Sequence, residues 1–188
     1  AVLSLMTTSS LALAASKPYW PKLREVLQPR VAEKKKALAS AFKQFDSIYQ
    51  ENRTFSNRAA HMAHMWQGRC LEEQGDLPSA LDCYDEVLVV SPEGVNIDAN
   101  LAPLFGQAFL FRLRLLSEKK KAKPTEIIPE AREWLFTHKG WAKTDAYQGV
   151  AIELAKSQFA YASSIVGPNQ KTMLNETLTL VGTIVKVD

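Results

Sequence analysis

HMAHMWQGRCLEEQGDLPSALDCYDEVLVVSP, residues 61–92, is the stretch whose reading decides the fold. Met62, Met65, Trp66, Cys70 and Leu71 return at the spacing that lines one face of an α-helix, while Arg69, Glu72 and Glu73 fall mostly off that face. Gly75 can adopt the left-handed conformation that ends a helix, and Asp76 can cap the next one. Pro78 then falls in a first turn, where a missing N–H does no harm. A second helical run follows through Ala80, Leu81, Tyr84, Val87, Leu88 and Val90, and Ser91-Pro92 stops it. This is a helical hairpin, expected to pack most closely where its side chains are smallest, at Gly68 and Ala80.

Counted from His61, the residues Gly68, Gly75-Asp76, Ala80, Tyr84 and Pro92 fall in order at close-approach, turn, small, aromatic and terminating positions. Over residues 61–94 the chain resembles the tetratricopeptide repeat, a helix-turn-helix unit that stacks on copies of itself. Leu71 stands where the family's first helix usually has an aromatic, and Val87 where its second usually has a small residue. The resemblance implies an all-α fold, an α-solenoid of stacked antiparallel hairpins, serving as a non-catalytic protein–protein interaction or assembly scaffold. It also implies a concave surface lined by the first helix of each unit, which here presents Met62, Met65, Arg69, Glu72 and Glu73. Two methionines beside an arginine would make an adaptable apolar site with one carboxylate-pairing group, Arg69 supplying specificity. For the methionines the alternative is ordinary packing between repeats. The family's chaperone-adaptor branch clamps a C-terminal carboxylate with lysine and asparagine at two of these positions; Met65 and Arg69 stand there instead, so that partner class is not implied.

The rest of the chain is consistent with one helical-repeat array over residues 1–188. With 46% hydrophobic residues and eight glycines, it can supply an ample core, and strand alternation is hard to find. Diverged hairpins are expected at about 1–52, 100–138 and 144–187. Within them, Pro21 to Tyr49 reads as a long helix, Asn100 as a cap ahead of a helix through Leu116 that Lys119-Lys120-Lys121 and Pro124 close, and Thr125 or the Pro129 region as the next start. Thr144-Asp145 opens another helix, and Asn169 caps a last one after the Gly167-Pro168 turn. Trp66-Gln67-Gly68 recurs as Tyr147-Gln148-Gly149, with Phe105-Gly106-Gln107-Ala108 about midway, which implies a unit of about 40 residues.

The opening stretch AVLSLMTTSSLALAAS reads either as a helix of the array or as a trimmed signal sequence over residues 1–14. The first reading favours the cytoplasm, the second the periplasm or cell envelope. A start in mid-helix points to a piece of a longer protein. The run is too short and too interrupted by Thr7, Thr8, Ser9 and Ser10 for a membrane span.

Catalytic and metal-binding patterns are weak. His61 and His64 share a helical face, yet no acidic residue sits between them and no third ligand is apparent, so a packing role for His64 is the better reading and no metal is assigned. His138 near a helix end needs no chemistry beyond the helix dipole. Cys70 and Cys83 fall on different helices of the hairpin, in positions that suit buried free thiols better than a disulfide. There is no phosphate-binding glycine loop, nucleophile elbow or Cys-x-x-Cys, and no cofactor is implied. The net charge of +3 is mild, and the runs Lys34-Lys35-Lys36 and Lys119-Lys120-Lys121 lack the interleaved aromatics that stack bases, so nucleic acid is not the expected partner. The expected partner is a protein or peptide. The alternative is a spacer that braces neighbouring domains of a larger protein and holds no ligand of its own.

Overall fold

The computed structural model describes residues 19–53, 58–89 and 101–185, and among them the chain is helical with no strand. Seven α-helices follow in order: α1 (Tyr19–Asn52), α2 (Arg58–Gln74), α3 (Leu77–Val89), α4 (Ala102–Arg114), α5 (Pro124–Thr137), α6 (Asp145–Ser164) and α7 (Pro168–Val185). The all-α expectation holds for these residues. The expectations placed on residues 1–18, Ser91-Pro92 and Asn100 lie outside them.

Two compact units divide the chain, Ala1–Ala41 and Phe42–Asp188. In the first, the described residues are helical from Tyr19 onward, and the side chains described, Lys34, Lys35 and Lys36 among them, are mostly exposed. The remaining architecture belongs to the second.

The turn between α2 and α3 forms for the reasons its residues carry. Gly75 has φ +88°, the left-handed region that costs glycine nothing, and its N–H donates to the Glu72 carbonyl at 3.1 Å. Asp76 then caps α3: its Oδ1 accepts from the Ser79 N–H at 3.3 Å, and its carbonyl accepts from the Ala80 N–H at 3.1 Å. Thr144 does the same for α6, its hydroxyl oxygen accepting from the Tyr147 N–H at 3.2 Å.

Other boundaries differ from expectation. Leu101 holds the cap position of α4 without a side-chain hydrogen bond, and Pro103 follows in the first turn. Past Arg114 the helix widens into a π turn over Leu115–Lys119, and Lys121 turns the chain at φ +55°. Pro124 therefore opens α5, its fixed φ suiting a first helical residue, and Pro129 lies inside that helix. α7 begins at Pro168, so Asn169 sits in its first turn and Gly167, at φ +95°, makes the bend.

The core lies on both sides of α4. One cluster joins Met65 of α2 and Ala80, Tyr84 and Val87 of α3 to Leu104, Phe105 and Ala108 of α4. The other joins Phe109, Leu110 and Leu113 of α4 to Ile127, Ala131, Trp134 and Leu135 of α5 and Val150, Ala151 and Leu154 of α6. Two glycines let α4 and α6 approach closely: a Cβ on Gly106 would stand 2.9 Å from Ala146 Cβ, and one on Gly149 would stand 2.5 Å from Leu110 Cδ2. The Gly68 and Gly149 echo thus marks two different contacts, since Gly68 faces α3, its own hairpin mate, and Gly149 faces α4. α7 closes the series against α6.

Candidate functional site

The face of α2 is set by what Phe45 and Tyr49, at the end of α1, and the helices α3 and α4 leave uncovered. Met62 and Trp66, one turn apart, stay 44% and 39% exposed. Met65 is turned the other way, 3% exposed, and packs with Tyr84 and Phe105 in the core. Of the five residues placed on the surface by position in the repeat, Met62 and Glu73 are exposed, Arg69 is half-buried, and Met65 and Glu72 are interior. Met65 thus takes the packing role weighed for it.

Arg69 is already engaged. Its Nη1 donates to Glu72 Oε2 at 2.5 Å and its Nη2 lies 3.6 Å from Glu73 Oε1, while the guanidinium sits 4.8 Å from the centroid of the Phe111 ring. The same Glu72 oxygen accepts from the Tyr84 hydroxyl at 2.9 Å. Burial by itself pulls the Arg69 guanidinium down, but the hydrogen bond and charge of Glu72, with Tyr84 behind it, hold it above its ordinary value. Burial first, then the Glu72 charge, pushes the Tyr84 phenol far up. Arg69, Glu72 and Tyr84 therefore form one internal network that ties α2 to α3.

Trp66 and Phe111 complete the face, and position in the repeat does not single them out. Trp66 packs against Phe45 with ring centroids 6.5 Å apart and meets Phe111 edge-on at 6.0 Å. The spacing of Met62 and Trp66 is the one sequence signal that could have found Trp66; Phe111 arrives from α4 and had none. The result is an apolar strip, Met62 and Trp66, running to a guanidinium stacked on an aromatic ring and bordered by the Glu73 carboxylate.

The histidines and cysteines are spread over other surroundings. His64 stacks on Tyr49 at 4.3 Å, and its two ring nitrogens lie 2.7 Å from Gln67 Oε1 and 2.8 Å from Glu86 Oε2. His61 is buried with its ring 5.9 Å from that of Phe105. His138 ends α5, its Nδ1 2.8 Å from the Trp134 carbonyl. Among the described residues no group of three or more His, Cys, Asp or Glu is arranged to hold a metal ion. Cys70 and Cys83 are free and buried. Burial raises both thiols, and burial with the nearby Glu86, Asp82 and Asp76 pushes Cys83 up to about 12, the opposite of an activated nucleophile. No described helix is long and apolar enough to cross a membrane.

Comparison with models of known protein families, with characterised proteins and with solved structures finds no match.

Proposed function

We propose that this chain is a non-catalytic protein-binding scaffold of tetratricopeptide-like hairpins, stacked as an α-solenoid, and that the face of α2 receives a protein or peptide segment. One observation carries the reading: Met62 and Trp66 stand exposed side by side on a helix whose remaining apolar residues are buried or half-buried. A flexible thioether beside a large aromatic ring suits adaptable contact with an apolar side chain. Glu73 borders the strip with its carboxylate 3.6 Å from Arg69, and Arg69, held by Glu72, shapes the surface more than it recruits a carboxylate. The sequence-level assignment of specificity to Arg69 therefore passes to Trp66 and Met62.

The test is capture of partners by the full chain and by Trp66→Ala and Met62→Ala, each checked for unchanged circular dichroism and melting. Loss of the same captured protein in both variants is expected. Full retention of every captured partner by both folded variants would remove the α2 face from the reading. A second reading, a bracing segment with no ligand of its own, is favoured by Leu178 and Val181, which are exposed on α7 and would be covered by a neighbouring element of a larger assembly.

A further inference from the structure

Away from the α2 face, the π turn after α4, the first turn of α5 and the middle of α6 border an open groove of about 250 Å³. Ala122, Pro124, Ile127 and Ala160 give it an aliphatic lining. Its interior carboxylate is already answered, because Glu153 Oε1 accepts from Arg114 Nε at 3.2 Å and from Lys156 Nζ at 2.9 Å. The groove therefore asks for no polar partner within, and its rim decides what fits.

The rim is basic. Lys119, Lys120, Lys121 and Lys123 are interleaved along the chain with the lining residues Glu118, Ala122 and Pro124. All four lysines are exposed, and none forms an ion pair among the described residues. Helix chemistry accounts for the first two, since cations suit the negative end of a helix. It does not account for the others. Lys121 holds φ +55°, a conformation that glycine or asparagine adopts at less cost. Lys123 is the N-cap of α5 with no side-chain cap, at a helix end that favours an acceptor or an anion. Local folding would place glycine and aspartate at these two positions, so their charge serves something other than the turn.

An apolar edge adjoins the cations. On α6, Ile152 is 41% and Phe159 60% exposed, one turn to either side of Lys156, which itself lines the groove. Exposed apolar side chains beside a charged rim mark a binding surface, and here the charge selects an acidic partner. A nucleic acid backbone would meet the exposed carboxylates of Glu118 and Glu126, set among the lysines. A lipid surface is flat, whereas the groove is concave. A peptide whose acidic and apolar residues fall on neighbouring helical positions meets both features at once. We propose that this surface binds an acidic amphipathic helical segment of a protein partner, its carboxylates against Lys119, Lys120, Lys121 and Lys123 and its apolar side chains against the groove lining and Phe159. The surface is separate from the α2 face and does not depend on it.

The experiment is fluorescence anisotropy of a dye-labelled synthetic helical peptide of glutamate and leucine, with leucines at helical spacing, titrated with the full chain. A peptide with glutamine for every glutamate, a polyglutamate peptide, a single-stranded oligonucleotide and phosphatidylserine vesicles serve as comparisons. Saturable binding of the glutamate–leucine peptide is expected, weakened by added salt and tighter than that of any comparison. Combined Lys119→Gln, Lys121→Gln and Lys123→Gln should weaken it about tenfold, the loss of three solvent-screened pairs, and Phe159→Ala by about as much. All four positions are exposed, and circular dichroism checks that each variant keeps the fold. Trp66→Ala should leave this binding unchanged, which separates it from the α2 face. The proposal is overturned if the peptide does not saturate, if the lysine variant or Phe159→Ala binds as the parent does, if Trp66→Ala abolishes binding, or if polyglutamate, the oligonucleotide or the vesicles bind more tightly.

Discussion

Tyr84 occupies the space that any side chain at Gly68 would need. A Cβ there would stand 2.6 Å from Tyr84 Cε1 and 3.1 Å from Cys83 Cβ, so the close approach of α2 to α3 is made against a buried ring rather than against Ala80. Since the Tyr84 hydroxyl is also held by Glu72, the ring cannot swing aside without breaking that bond. Gly68→Ala should lower stability by about 1–3 kcal/mol through overpacking, outweighing the roughly 1 kcal/mol gained in helix propensity, and Gly68→Leu should cost more. Urea unfolding followed by circular dichroism measures this. A midpoint at or above the parent's would show that the ring yields freely.

Tyr84→Phe should be costly although it removes a single oxygen. Glu72 would keep Arg69 but lose its interior donor, and a buried acceptor short of a partner costs about 1–3 kcal/mol. A cycle with Glu72→Ala, which removes the acceptor, separates this bond from general packing: the two substitutions together should cost clearly less than their sum. Strict additivity would mean the two groups do not act as a pair.

Arg69→Ala is expected to destabilise the hairpin by about 1–3 kcal/mol, below the full cost of breaking a buried pair because the guanidinium is partly exposed to screening solvent. The interior Glu72 carboxylate would be left without its cation. Thermal melting with and without added salt checks this, and an unchanged melting temperature would return Arg69 to the role of an open surface cation.

Alkaline pH should unfold the protein before it affects an equivalent helical chain that lacks buried thiol and phenol groups. Cys83 has a folded pKa pushed up to about 12, above its ordinary value of 9.0, and Tyr84 is raised as well. The unfolded chain therefore sheds these protons first as pH climbs. Binding fewer protons than the native state, it gains stability relative to it, so folding stability is intact below pH 9.0 and falls above it. Cys83→Ala should flatten the fall between pH 9 and 12 in denaturation measured across the alkaline range. An identical slope in parent and variant would remove Cys83 as a source.

Much of the local structure is legible residue by residue. Gly75-Asp76, Thr144 and Gly167 act within a few residues of themselves, through a left-handed φ or a side-chain cap, and they end or begin helices where their chemistry says they should. The Lys119–Lys121 stop is only half legible, because composition shows a break but not whether the last turn stays α or widens to π. The surface of α2 is less legible still. Spacing sorts its residues into apolar and polar, which leaves Met62 and Met65 alike, and their difference in exposure arises from the neighbours that cover one and not the other.

Sequence by itself determined the all-helical class of the described residues, the α2–α3 hairpin, the free thiols' place on two different helices and the caps at Asp76 and Thr144, since each follows from period, backbone conformation or short-range hydrogen bonding. The tertiary structure decided that Glu72 is an interior acceptor, that Gly68 faces Tyr84 while Gly149 faces Leu110, and that the buried Glu153 is paired by Arg114 and Lys156. These depend on which distant helices meet. Burial and hydrogen-bond partnership are properties of a pair of surfaces, and one helix's sequence carries only its own half of each.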